Sequence, residues 1–221
     1  TEYRTIAGYG RDQIEEKRSI FIGSADFVTS EEEAVAFINR IRSEFPDARH
    51  NVYAYLLREN AKNRYSDDRE PQGTAGMPVL DVIRKNGLTD TVVVVTRYFG
   101  GIKLGAGGLV RAYSSSTSGA VKTIEFVPII KMININIKFD YSYANEILKL
   151  FRNYKEIDSK YETNISLTYE IPESDKDFLK ENKNFEIIDI GDKLPEKLRH
   201  STTKDGYVTF YPNVDGINGC F

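Results

Sequence analysis

Four consecutive β-branched residues, Val92-Val93-Val94-Val95, lead into a loop that carries five glycines: Arg97-Tyr98-Phe99-Gly100-Gly101-Ile102-Lys103-Leu104-Gly105-Ala106-Gly107-Gly108-Leu109-Val110-Arg111. A strand that is apolar on both sides has to be covered on both faces, so this segment belongs in the centre of a sheet. The glycines let the backbone turn tightly and approach a neighbour or a ligand closely. A helix over 107–124 follows, with Leu109, Ala112, Tyr113, Ser116, Ala120 and Ile124 as its buried stripe. The stretch Ser114-Ser115-Ser116-Thr117-Ser118-Gly119 falls inside it. It reads as part of that helix, small enough to lie close on a sheet, in preference to a flexible linker.

Upstream, the strand-like core Ser19-Ile20-Phe21-Ile22 is expected to pair with residues 3–9 across a turn at Gly8 to Gly10. Thr29 or Ser30 caps the next helix. Ser30 with Glu33 makes a capping box, and Ala34, Phe37, Ile38, Ile41 and Phe45 repeat at helical spacing until Pro46. Residues 51–57 form a strand covered on both faces. A polar loop then precedes a short helix over 77–85, closed by Asn86-Gly87.

Character shifts at Val127-Pro128, after which glycine falls away. Ile133, Ile135, Ile137 and Phe139 alternate with Asn134, Asn136 and Lys138, a strand with one wet face. Ala144, Ile147, Leu148 and Phe151 mark a helix. Strands follow over 157–161 and 165–171, then a short helix with Phe178 and Leu179 and a last strand over 185–190. This βαββαβ order is that of a ferredoxin-like domain. The expected organisation is α+β: an N-terminal domain over 1–127, a ferredoxin-like domain over 128–190 and a tail over 191–221.

No charge-free stretch exceeds ten residues, as between Arg111 and Lys122, whereas a spanning helix needs about 20. With no membrane span and no apolar signal core at the start, cytoplasmic residence is expected. One cysteine, Cys220, and two histidines, His50 and His200, cannot assemble the usual zinc site. A net charge of −3 gives no global attraction for nucleic acid, so polyanion binding has to come from a local cluster.

Two segments carry candidate chemistry. In Ser66-Asp67-Asp68-Arg69-Glu70-Pro71-Gln72-Gly73-Thr74-Ala75-Gly76-Met77-Pro78, the carboxylates Asp67, Asp68 and Glu70 are placed to bind a cation or exchange protons. The plainer reading is a solvated acidic loop whose Thr74 caps the following helix. In the glycine loop, unpaired N–H groups at the helix start attract an anion, and Arg97, Lys103 and Arg111 surround them. Here the plainer reading is tight turns and close packing at Gly100, Gly101, Gly105, Gly107 and Gly108. The Walker Lys and Ser/Thr are replaced by Ala106-Gly107, and Val110 stands at the third glycine of a dinucleotide loop. His50 opens its strand and is more readily a structural hydrogen-bonder than a base.

Together, His50-Asn51-Val52-Tyr53-Ala54-Tyr55, the Ser66–Pro78 segment and Arg97-Tyr98-Phe99-Gly100-Gly101 through Arg111-Ala112-Tyr113 resemble the IMPACT/YigZ family over residues about 18–127. The resemblance implies an N-terminal two-layer α/β fold like the second domain of a small-subunit ribosomal protein. It also implies a C-terminal fold like a domain of elongation factor G. Eukaryotic members regulate translation by competing for the activator of the amino-acid-starvation kinase. They do so through an additional RWD domain that this sequence does not match, so that partner is not carried over. For bacterial members nucleic-acid or ribosome binding is the usual inference. Arg69 departs from the glycine usual in the family's Asp-Asp-Gly-Glu-Pro turn, and the tail does not match, although Tyr207-Val208-Thr209-Phe210-Tyr211 has the pattern of an extra strand.

The leading expectation is a binding protein without catalysis, whose partner is RNA, the ribosome or a translation-associated protein. The alternative is an enzyme of a phosphate-bearing small molecule, with Mg²⁺ on Asp67, Asp68 and Glu70. A third reading has Asn134, Asn136 and Lys138 presenting a polar sheet face to another protein. If the first reading holds, Arg97, Lys103 and Arg111 reach one concave patch.

Overall fold

The structure, a computed structural model, describes residues 3–191 and 207–209, and divides into two compact units, Thr1–Pro128 and Ile129–Phe221. The fold class is α+β with two sheets. The first unit holds β1 (Tyr3–Ile6), β2 (Gly10–Glu16), β3 (Ser19–Phe27), α1 (Glu31–Glu44), β4 (His50–Leu56), β5 (Asn63–Ser66), α2 (Gly76–Lys85), β6 (Thr91–Tyr98) and α3 (Gly105–Lys122). Its sheet has the order β2-β3-β6-β4-β5, antiparallel throughout.

The central position of β6 follows from its valines. Val92 and Val94 pack with Phe37, Ile38 and Ile41 of α1, whereas Val93 and Val95 pack with Val79, Leu80 and Ile83 of α2 and Leu109 and Tyr113 of α3. The sheet therefore carries helices on both faces. That is one layer more than the two-layer arrangement the family resemblance implies, because the alternating β6 side chains need apolar cover on each side. Ser30 caps α1 as expected, with the Glu33 N–H donating to Ser30 Oγ at 3.2 Å, but the Glu33 carboxylate accepts the N–H of Thr29, one residue before the cap, at 2.7 Å.

The N-terminal hairpin differs from expectation. It is β2 that pairs with β3, across a two-residue turn in which Lys17 and Arg18 both take positive φ (47° and 63°). Such a turn matches the strand twist and usually carries Asn-Gly, so its signal was absent here. The segment β1 instead makes a parallel bridge from Arg4 to Leu88. The short strand β5 was also not anticipated, since its residues are polar and lie at the sheet edge.

The serine stretch is packed helix, with Ser116 and Thr117 fully buried in α3. Gly23 on β3 explains how close that helix lies: a Cβ built there would sit 2.6 Å from the Ser116 carbonyl oxygen.

Strand β7 (Phe126–Phe139) begins three residues before the second unit, which continues with α4 (Ala144–Leu150), β8 (Lys155–Tyr161), β9 (Ile165–Pro172), α5 (Lys176–Lys180) and β10 (Glu186–Gly191). The strands run β10-β7-β9-β8, each antiparallel to its neighbour. The inward residues of β7 (Ile133, Ile135, Ile137 and Phe139) meet Ile147, Phe151, Leu167 and Leu179, with Phe151 stacked on Tyr169 at 4.6 Å. A short strand β11 (Tyr207–Thr209) pairs with Ile129, Ile130 and Lys131 of β7. Beyond Gly191, which ends β10, and apart from β11, the 191–221 tail, including Cys220 and His200, lies outside the described residues. No described helix is long and apolar enough to cross a membrane.

Replacing Gly23 by Ala forces α3 away from β3. The expected outcome is a loss of about 1–3 kcal/mol, read as a lowered urea midpoint with an unchanged slope.

Candidate functional site

The acidic loop is built by its first aspartate. Asp67 accepts the N–H groups of Gly73 (2.8 Å), Ala75 (3.1 Å) and Gly76 (2.8 Å), closing the loop and capping α2. Thr74 does not cap that helix; its hydroxyl donates to the Pro71 carbonyl at 2.6 Å. The sequence favours a Thr or Ser next to the helix, but a carboxylate nine positions earlier reaches three amides at once. Asp68 accepts the Asn51 N–H at 2.6 Å and offers its own carbonyl to His50 Nδ1 at 2.8 Å. Both aspartates are thus tied to main chain.

Glu70 alone turns inward. Its Oε1 accepts from Arg97 Nη1 at 2.6 Å and from the Tyr113 hydroxyl at 2.7 Å, with His50 Nε2 3.9 Å away. Strand β6 brings Arg97, α3 brings Tyr113, and β4 brings His50, which stands opposite Arg97 in the β4–β6 register. All four residues are at most 9% exposed. Arg97 also donates to Ser19 Oγ at 3.3 Å and lies over the Phe21 and Phe99 rings. Burial, and then the Glu70 charge, push the Tyr113 phenol far up, so its hydroxyl stays a donor. The carboxylate therefore holds two charge-assisted hydrogen bonds in a largely buried site.

Above this pair opens a cavity of about 420 Å³. Glu70, Arg97 and His50 line it with Arg49 and Lys103, both exposed, while Pro71, Phe99, Leu104 and Leu109 supply apolar wall. The start of α3, at Gly105 and Ala106, closes one side. That helix has Leu104 as its N-cap, no side-chain cap and no acid in its first turn, leaving its first N–H groups without an intrahelical acceptor. Gly105, with φ of +75°, makes the entry turn that sets α3 two residues earlier than the sequence pattern indicates. A smaller adjoining hollow shares Arg49, His50 and Glu70 and adds Arg69.

The structure thus brings Glu70, Arg97, Lys103, Gly105 and His50 to one cavity and leaves the other candidates outside its lining. Gly100 packs against the backbone of Arg18 and Ser19, and Gly108 against Leu104. Gly101 takes a turn with φ of +84°. Gly107 and the exposed Arg111 lie on α3 without lining the cavity. Asp67, Asp68, Gly73 and Thr74 shape the loop beneath it. Among the described residues no three His, Cys, Asp or Glu side chains come together as a metal-holding group. Sequence reasoning missed Arg49, Phe99 and Tyr113 as site residues. Only Tyr113 carried a signal, since a hydroxyl on a buried helical stripe needs a partner.

Arg69 keeps the left-handed turn despite its side chain, with φ of 70° following 38° at Asp68, and its Nη2 donates to the Arg49 carbonyl at 2.5 Å.

Residues 17–121 match the Impact N-terminal domain. The IMPACT family member YvyE of Bacillus subtilis is 43% identical over 146 residues, which is 66% of this chain and 67% of that protein. The IMPACT family member YigZ of Escherichia coli is 33% identical over 161 residues, 71% of this chain and 79% of its own length. A solved structure described as that of a hypothetical protein superposes with a TM-score of 0.59 at 28% identity, covering 87% of this chain and 98% of the other.

Two outcomes follow from the geometry. Glu70→Ala strands a buried guanidinium and is expected to cost about 3–5 kcal/mol, whereas Glu70→Ala with Arg97→Met loses less than the two single changes summed; urea unfolding of the four proteins measures this. Arg69→Gly relieves the left-handed turn and is expected to raise stability by up to about 1 kcal/mol in the same assay.

Proposed function

Because this chain belongs to the IMPACT family, we propose that it is a non-catalytic binding protein of the translation apparatus that takes hold of RNA at the cavity over the Glu70–Arg97 pair. The observation that carries this reading is the charge of that cavity. Arg49, Arg97 and Lys103 share its lining with one carboxylate, Glu70, in a chain whose net charge is −3. Local cations beside the free N–H groups of a helix start suit phosphate, which Arg, Lys and backbone N–H groups contact in nucleic-acid complexes. The translation-related role is the one that the resemblance to eukaryotic family members implies. The antiparallel order β10-β7-β9-β8 supports a ferredoxin-like reading of the second unit, a fold shared with the elongation-factor domain named above.

The Mg²⁺-dependent alternative draws less support. It needs Asp67, Asp68 and Glu70 together, and the first two are tied to backbone amides while the third is held by Arg97 and Tyr113.

The test is fluorescence polarisation with labelled single-stranded RNA over a salt series. Arg49→Ala with Lys103→Ala is expected to weaken binding and to flatten the salt dependence by about one unit per lost phosphate contact. Arg111→Ala, outside the cavity, is expected to change little. Unchanged affinity and slope in the double variant, or no binding by the wild-type chain at low salt, overturns the reading.

A further inference from the structure

We propose that the cavity is a single-nucleotide pocket that takes a nucleoside 5′-monophosphate, as the phosphorylated 5′ end of an RNA strand or as the free nucleotide. This rests on the anion-binding reading above and narrows it to one ligand class. Volume is the first argument. At about 420 Å³ the cavity falls within the range of small-molecule sites, about 300–1,000 Å³, which is room for one nucleotide.

Charge is the second argument. Glu70 already neutralises Arg97, so the positive charge left over in the lining is that of Arg49 and Lys103. Neither forms an ion pair among the described residues. Two surplus cations balance a phosphate monoester, which carries about −1.5 to −2 at neutral pH; an internal phosphodiester carries a single charge and leaves one cation unmatched. The uncapped start of α3 adds N–H donors on the same side, at Gly105 and Ala106.

The third argument is an unfilled donor. Arg97 is 5% exposed and lines the cavity, and its Nε–H is buried with no hydrogen-bond acceptor although both terminal nitrogens are engaged. A buried donor left unmade is costly, and an acceptor on the ligand reaches it once the guanidinium shifts as the cavity fills. The apolar wall completes the match. Phe99, 45% exposed, with Leu104 and Leu109 beside it, offers a surface for a nucleobase. Stacking of this kind is indifferent to base identity, so the pocket is expected to read the phosphate and tolerate any of the four bases.

The experiment uses the full chain and one decamer RNA, labelled at its 3′ end, in 5′-phosphate and 5′-hydroxyl forms, with adenosine monophosphate and adenosine as competitors and without Mg²⁺. The 5′-phosphate RNA is expected to bind at least about tenfold more tightly, equivalent to about 1.4 kcal/mol. The monophosphate is expected to compete and adenosine to fail. Lys103→Ala is expected to erase the preference and Phe99→Ala to weaken both phosphorylated ligands; both side chains are exposed, and melting curves check that the variants fold. A monophosphate far weaker than the RNA assigns the pocket to a strand end, and equal affinities assign it to the free nucleotide. Equal binding of the two RNA forms overturns this inference while leaving RNA binding intact. Binding of the monophosphate alone, read directly as a raised melting temperature of the full chain, removes RNA binding and keeps the pocket. No binding of either overturns both.

Discussion

A buried carboxylate shared between a guanidinium and a phenol organises the first unit. Glu70, Arg97 and Tyr113 come from a loop, the central strand and the long helix, and in the sequence they lie 27 and 43 residues from one another across the carboxylate. Such a pair adds little net stability over an apolar replacement, yet removing one member is severe. Its effect is therefore one of specification. With the phenol unable to ionise and the guanidinium always charged, only one arrangement of loop, strand and helix leaves no stranded charge. The cavity is the space left over when that arrangement closes.

The valines of β6 set the frame in which this happens. By serving α1 with one pair of side chains and α2 and α3 with the other, the strand fixes the height of both layers at once. The bare backbone of Gly23 then lets α3 come down far enough for Tyr113 to reach Glu70. Packing and polar geometry are one constraint here, since a helix held away by a single methyl group would also leave the carboxylate short of a donor.

The sequence made the regular elements readable wherever local chemistry was strong: the Ser30 cap, the β-branched run, the alternating isoleucines of β7. The hairpin turn at Lys17 and Arg18 was not readable, because its left-handed residues are not those that prefer such turns. Nor could the pattern separate the roles of the three loop carboxylates. Asp67, Asp68 and Glu70 look alike in a string, and only the fold decides that two of them tie down amides while the third faces a buried cation. Two of the three cations grouped around the glycine loop line the cavity together; Arg111 does not, since it sits a turn and more into α3 and outside the lining.

The loop closed by Asp67 has one more consequence. Three amides converge on a single carboxylate, and the same loop sets both the start of α2 and the position of Glu70. No part of the cavity floor belongs to an element that can open alone: loosening the loop frees a helix end, and lifting α3 uncovers the ion pair. Occupancy of the cavity is then coupled to cooperative unfolding of the whole unit, not to fraying at its edge. A bound ligand would slow hydrogen exchange deep in β6 as much as in the residues it touches. The pocket is in this sense a gauge of the integrity of the unit that forms it.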